Sequence, residues 1–471
     1  MSGRREFLKN IGQGSAALGL GLPAAAWSNE TRAKEPARNR DPFLNRTYQV
    51  FEPGRYLDWE RSAVESRLER SRALAALLAR RGSADARRPA GEDPSAVLAV
   101  SEAAVLKYNH TWDPYNPLFN GVEYARNFNH PSVPAWPCFV GGRTDAAMDF
   151  TIPKDIADTW YYANDGSDYE LFAPIHPGDQ LTSELEDISF EELTEPGSTL
   201  RHFKVSCAAR LYNQAGALIV RNRVTLRNGY RKILDDRPKP TFTENMSEWT
   251  RYFPPAHYTT DEEWVYIREL WDKEYIRGQK TLYWEDVNVG DMPPWTCSGP
   301  VSHMDMMAWY GGQSTSLRGS STRLPRTLFR DAFGIYLPET APHYGSRNIP
   351  GARMVFYNDT ACKHVLRLVT NYIGDAGLVT RVNWYFKQLF REMQVPRPGG
   401  EYLDRVPHMK GKGCTDHGSE GDTIIGKAYV TGKRVNENGD HLIDLTCWGE
   451  TLDNRIIQVV TVSAKLPSRG G

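Results

Sequence analysis

Long apolar runs are missing from this 471-residue chain. Beyond residue 26 no stretch approaches the roughly 20 apolar residues that a membrane helix requires, so an integral membrane protein is excluded and the mature chain is expected to be soluble. Charge of one sign is missing as well. The 57 Lys and Arg nearly cancel the 58 Asp and Glu, leaving no field of the kind that draws phosphate backbones or anionic lipids, and nucleic acid is not an expected partner. Cysteine is sparse: Cys138, Cys207, Cys297, Cys362, Cys414 and Cys447 are widely spaced, with no C-x-x-C pair to suggest zinc or a redox couple. Buried thiols in apolar strands are the expectation, although an oxidising compartment would permit disulfides. A G-x-S-x-G elbow, an H-E-x-x-H pair and a phosphate loop are all absent, so other reaction classes find little support and neither a metal nor a cofactor is expected.

The N-terminus has a processing pattern. Gly3-Arg4-Arg5-Glu6-Phe7-Leu8-Lys9 precedes a mild apolar stretch from Ile11 to Leu22, and Ala24-Ala25-Ala26 follow. A charged start, an apolar middle and small residues at the cut describe a signal peptide, and the paired arginines resemble a twin-arginine signal for folded cargo. Residues 1–26 are therefore expected to be removed and the mature chain exported to the periplasm; without that signal it would be cytoplasmic. Residues 27–95 read as a polar leader followed by an amphipathic helix at Leu57–Arg81, with Val64, Leu68, Leu74, Leu77 and Leu78 at helical intervals.

The remaining length suits two units of ordinary size, and an internal repeat divides it. Gly178-Asp179 opens a run in which Phe203, Val205, Cys207, Ala209 and Leu211 alternate, Asn213–Gly216 turns, and Leu218–Leu226 returns. Gly421-Asp422, 243 residues further on, opens a second, with Ile443, Leu445 and Cys447 alternating, a turn at Asp453-Asn454, and Ile456–Leu466 returning. Alternation marks strands with one buried face, and Asn/Asp/Gly turns make antiparallel hairpins the natural connection. Modules over 96–235 and 281–471 are expected, joined by a linker over 236–280 whose helix runs from Thr260 to Gln279. In the second module Asp359–Tyr372 places Ala361, Val365, Leu368 and Tyr372 on one helical face.

In the first half, Asp113-Pro114-Tyr115-Asn116-Pro117-Leu118-Phe119, then Glu123-Tyr124-Ala125-Arg126, then Pro134–Phe139 and Pro174-x-x-Pro177-Gly178-Asp179 follow in order. In the second, Arg277-Gly278, Trp284-Glu285-Asp286-Val287-x-Val289-Gly290-Asp291, Gly299-Pro300 and Asn371-x-x-Gly374-Asp375 do so. In kind and order these segments resemble the MaoC-like hydratase/dehydratases, discontinuously from about residue 100 to 466. The resemblance implies an α+β double hot-dog fold, two curved antiparallel sheets each wrapped round a long helix, here with an extra N-terminal helix. It also implies a hydro-lyase that adds water to, or removes it from, an enoyl or 3-hydroxyacyl thioester or a related hydrophobic substrate.

The family's active loop has a D-x-N-P-x-H pattern. Its best counterpart here is Glu339-Thr340-Ala341-Pro342-His343, with Glu for Asp, no Asn and one residue fewer. The resemblance thus implies His343 as acid/base, Glu339 as a second group and Asp331 as an alternative acid. The first module offers the reverse: Asp113 and Asn116 stand in the loop as substrate-binding candidates, and Phe119 occupies the place of the histidine. Gly351, ahead of the second-module helix, is either a close-approach point for a substrate carbonyl or a plain turn residue. Asp113 could equally bond nearby backbone and shape its turn. Trp112, Tyr115, Trp136 and Trp160–Tyr162 either line an apolar tunnel or pack the core. A homodimer or an exported companion enzyme are the expected partners. An alternative follows from the broken loop pattern, a non-catalytic exported binding or companion protein.

Overall fold

The computed structural model describes residues 46–81, 97–128, 130–140, 161–238, 259–302, 305, 328–330, 336–338, 358–385, 399–414, 418 and 421–470. They lie in one compact unit spanning Asn45–Gly471. Four helices of two turns or more are present among them: α1 (Asp58–Arg81), α2 (Glu102–Trp112), α3 (Asp261–Lys273) and α4 (Asn358–Ile373).

The strands of the first half are β1 (Val97–Ala99), β2 (Tyr161–Leu171), β3 (Gln180–Glu192), β4 (Arg201–Tyr212) and β5 (Leu218–Tyr230). The second half begins with β6 (Thr296–Ser298), followed by a separate ribbon of β7 (Leu328–Arg330) and β8 (Tyr336–Pro338). Then come β9 (Leu378–Tyr385), β10 (Ile424–Val435), β11 (His441–Glu450) and β12 (Ile456–Lys465). All but β7 and β8 join one ten-stranded sheet in the order β1-β3-β4-β5-β2-β9-β12-β11-β10-β6. The second set of five mirrors the first strand for strand. The two meet where β2 pairs antiparallel with β9, from Gly166 opposite Tyr385 to Glu170 opposite Arg381.

The repeat extends to the turns. Gly178 donates to Val100 O at 2.8 Å while Val100 donates to Asp179 O, and Gly421 donates to Val301 O at 2.8 Å while Val301 donates to Asp422 O. Both glycines sit at positive φ, 96° and 91°, a conformation that costs glycine little and other residues more.

Helix α4 packs across β9, β12, β11, β10 and β6, and from Cys362 to Ile373 every side chain is buried. Val365, Leu366, Leu368 and Val369 are fully enclosed with Val382, Val430, Leu445 and Val460 of the sheet. Each contributes roughly 1.5–3 kcal/mol of burial. A long helix held in a curved antiparallel sheet is the hot-dog arrangement, and the mirrored strand order makes the whole an α+β double hot dog. The segment in the corresponding place before β2, residues 141–160, lies outside the described residues, as do residues 1–45.

Helix α1 runs along β3, fixed by a buried Glu60. That carboxylate accepts from Arg201 Nε at 2.9 Å and from Tyr230 Oη at 2.7 Å, and Arg201 also donates to Glu192. Helix α3 begins with a capping box, Thr260 and Glu263 each bonding the other's backbone N–H. It ends at Lys273, before the expected Gln279, because Glu274 leaves the helical region and the following segment runs beside α4, where Arg277 N donates to Asn371 O. All six cysteines are buried. No helix among the described residues is long and apolar enough to cross a membrane.

Candidate active site at the module interface

The loop after α2 is built by its own sequence. Ser101 caps the helix, accepting from Ala104 N at 3.2 Å, and Val105, Tyr108, Asn109 and Trp112 form the buried stripe. Pro114 stops further helix growth by removing a backbone donor. Asn116 then caps the short helix Pro117–Asn120, its Oδ1 accepting from Leu118 N at 3.1 Å, with proline at the first position, where its missing N–H costs nothing. Buried Asn109 ties the loop down: its Nδ2 donates to Phe119 O (2.6 Å) and Pro134 O (2.8 Å), and its Oδ1 accepts from Trp136 N (2.7 Å). Asn120 Nδ2 reaches Asp113 O at 2.7 Å.

With the turn held by these amides, the Asp113 side chain is directed across the interface. It is 1% exposed and accepts from Thr370 Oγ1 of α4 at 3.2 Å. Burial raises its pKa to about 7, against which the Arg367 charge and the bonds from Thr370 and Asn116 pull it down. Desolvation dominates because an ionised carboxylate loses more hydration than these partners return.

The facing side of α4 carries Lys363, His364, Arg367, Thr370 and Asn371, all buried. Their spacing places them on one stripe of an otherwise apolar helix. The Arg367 Nη2 donates to Glu274 Oε2 (3.2 Å), Cys297 O (3.1 Å) and Ser298 Oγ (3.4 Å). Asn371 Nδ2 donates to Glu274 Oε1 at 3.3 Å, so the residue after α3 clamps two turns of α4. His364 Nδ1 lies 3.1 Å from Ser298 Oγ, and its ring packs edge-on to Trp112 with centroids 5.6 Å apart. Burial, with the charges of Arg367 and Lys363 adding to it, lowers His364 to about 3, so the imidazole is neutral at physiological pH. Lys363 Nζ stands over the Trp112 ring at 4.7 Å from its centroid and over Tyr108 at 5.4 Å.

A second contact closes the interface nearby. Tyr124 Oη donates to Asp375 Oδ2 at 2.6 Å, joining the Tyr-Ala-Arg helix to the Asn-x-x-Gly-Asp turn of the other half. Gly278 N–Cα geometry at φ 59° leaves its carbonyl to accept from Asp375 N at 3.0 Å.

Of the expected site residues, Asp113 and Asn116 are brought together on this interface, with Asp113 bonding both across to Thr370 of α4 and to Asn116 of its own turn. His343, Glu339, Asp331 and Gly351 lie outside the described residues. Phe119 is packed in the main core beside Trp112 and Trp136, and Tyr115 is 63% exposed. Trp112 and Trp136 are therefore core residues. Glu274, Lys363, His364, Arg367, Thr370 and Asn371 also face this interface and are not among the residues expected from the sequence. Their signal was available: polar residues at 363, 364, 367, 370 and 371 on a helix expected to be wrapped by a sheet.

No family model and no curated protein matches this sequence. Solved structures similar to it include a MaoC-like dehydratase at 14% identity, covering 79% of this chain and 95% of that one with a TM-score of 0.47. A conserved hypothetical protein of Mycobacterium tuberculosis described as having a double hot-dog fold is 12% identical, covering 79% and 94% with a TM-score of 0.41. A MaoC-like dehydratase from Phytophthora capsici is 8% identical, covering 80% and 94% with a TM-score of 0.39. At these scores no residue role is carried over from them.

Proposed function

We propose that this chain is a hydro-lyase of the hydratase/dehydratase kind, acting at the double bond of an enoyl or 3-hydroxyacyl-type compound. The observation that carries this reading is Asp113: a fully buried carboxyl, set on a rigid loop of one half and bonded to the long helix of the other, with a pKa raised to about 7. Such a group is part protonated at neutral pH and can both give and take a proton, the condition for efficient acid/base catalysis. Hydration forms a C–O bond at the β-carbon and a C–H bond at the α-carbon, while the π pair moves toward the carbonyl. One group takes the proton of the attacking water, another supplies the α-proton, and donors must meet the charge growing on the carbonyl oxygen. Asp113 is one member of that proton pair, and His343, with Glu339 or Asp331, is the proposed other. Neutral His364 is a hydrogen-bonding neighbour rather than an acid.

Assays of the purified chain for water addition to a panel of enoyl thioesters and free enones, beside His343→Ala, test this reading. Turnover lost in the variant supports it; turnover unchanged removes His343 from the site. A second reading is favoured by Phe119, whose burial in the core leaves this loop without an imidazole: a binding or companion protein that does no chemistry. Complete inactivity on the panel with tight small-molecule binding would select it. Export by the twin-arginine route is part of the proposal, and Arg4→Lys with Arg5→Lys should then hold the protein in the cytoplasm.

A further inference from the structure

Among the buried polar atoms of α4, Arg367 Nε and Asn371 Oδ1 meet no hydrogen-bond partner among the described residues. Both side chains are more than nine-tenths buried, at 7% and 2% exposed, and they stand one turn apart beside Asp113. Leaving a buried donor or acceptor unmet costs about 1–3 kcal/mol each, more for a charged group, and native proteins hold few such atoms without a reason. Glu274 explains why these two in particular remain. Its carboxylate can only accept, so Asn371 must turn its Nδ2 toward it and keep Oδ1 as the remaining acceptor, while Arg367 spends Nη2 on the same group. The pair therefore presents one charged donor and one neutral acceptor, fixed by a shared clamp.

A ligand satisfying both offers an acceptor, preferably anionic, and a hydroxyl donor a few bonds away. We propose that Arg367 and Asn371 recognise a free β-hydroxy carboxylate, the carboxylate accepting from Arg367 Nε and the hydroxyl donating to Asn371 Oδ1. A carboxylate gains more from a guanidinium than a neutral thioester carbonyl does, since bonds between charged partners are roughly twice as strong. Lys363, on the preceding turn, adds a second positive charge close enough to act on His364 together with Arg367. Glu274 offsets one of the two cations, and Asp113 is held largely by desolvation toward its neutral form. The inference rests on the hydro-lyase reading for the reaction, but not for binding. It also fits an exported chain, since a free acid needs no coenzyme carrier.

Titration calorimetry of the full chain with 3-hydroxybutyrate, butyrate and 3-hydroxybutyramide tests the pair. Loss of the hydroxyl or of the charge should each weaken binding about tenfold or more. Arg367→Lys, which keeps the charge and removes the Nε donor, should lower affinity for both acids by a similar factor. Asn371→Ala should bring 3-hydroxybutyrate and butyrate to equal affinity, a change that mere loss of stability would not produce. If Arg367→Lys fails to fold, the comparison of the three ligands on the wild-type chain decides alone. Equal binding of all three, or none, overturns the inference and leaves the two atoms to water. Selective binding without turnover would sustain it while the hydro-lyase reading fails, and thioester hydration unaffected by Arg367→Lys would do the opposite.

Discussion

The Asp113 carboxyl accepts from Thr370 Oγ1 at 3.2 Å across 257 residues of sequence. Thr370 Oγ1 also lies 3.0 Å from Arg367 O, its single proton shared between the two acceptors, so the hydroxyl that meets the first-half loop is held by the backbone of the second-half helix. This is how two halves that share one sheet come to share one polar site. The loop is rigid through Asn109 and Asn116, the helix through the sheet around it, and the titrating group lies between them.

Asp113 should make stability depend on pH in an uncommon direction. Its folded pKa, about 7, lies above the unfolded value of 3.8, so the folded chain holds the proton more tightly and stability falls as pH rises from about 4 to about 7. The full loss approaches roughly 4 kcal/mol for a shift of this size. Asp113→Asn, which keeps the shape without the charge, should remove this dependence, and urea midpoints at pH 5 and pH 8 measure it. Parallel curves for the two proteins would contradict it.

Acid should act the other way through two imidazoles. His202 and His364 are both lowered to about 3, first by burial and then by neighbouring cations. The unfolded chain therefore binds more protons below about 6.5, and their contribution is lost as pH falls from there. Proton uptake on unfolding at pH 5 should drop by about one when His202 is changed to Gln. Uptake unchanged by the substitution would place His202 among charged histidines.

Glu60 is buried with Arg201, at side-chain exposures of 1% and 0%. Removing one member of such a pair strands the other, at a cost of about 3–5 kcal/mol. Glu60→Ala should lower the unfolding free energy extrapolated from urea titration by that amount and open α1 to protease first, since Glu60 makes the one ion pair between α1 and the sheet among the described residues. Proteolysis beginning elsewhere would show that the helix is held by its apolar face.

Gly166 sits in the seam of the two halves, where an added Cβ would meet Trp384 O at 2.6 Å. Backbone on both sides leaves no flexible side chain to move, so Gly166→Ala should cost about 1–3 kcal/mol as overpacking does. Gly54→Ala meets nothing within 4 Å, and its positive φ of 77° leaves only a backbone cost of roughly 1–2 kcal/mol, with no clash added to it. Thermal midpoints rank the two variants, and the reverse ranking would exclude the close approach at the seam.

The repeat was legible because its punctuation is chemical: glycine at positive φ before β3 and β10, and Asn/Asp turns between alternating strands. The α4 helix was legible from its period. Asp113 and Asn116 stood out through Asn116-Pro117, whose cap-and-proline order defines the start of a short helix. What the sequence could not convey was which partner each polar residue would meet. Glu274 falls inside the helix expected over Thr260–Gln279, until the fold ends that helix at Lys273 and brings Glu274 against Arg367 and Asn371. Lys363 and Arg367 read as the charged side of an amphipathic helix until the sheet and the first-half loop enclose that side too. Periodicity reports which face of a helix is polar, while only the tertiary arrangement decides whether water or another module covers it.

The most direct test of the account is the pH–rate profile of the purified chain on the best enoyl substrate, measured beside Asp113→Asn. With Asp113 as a proton-transfer group, kcat/KM should show an inflection near pH 7 in the wild type and a loss of about 100-fold or more in the variant, the scale of a general acid/base. Wild-type kcat/KM in Asp113→Asn, with the inflection intact, would contradict it.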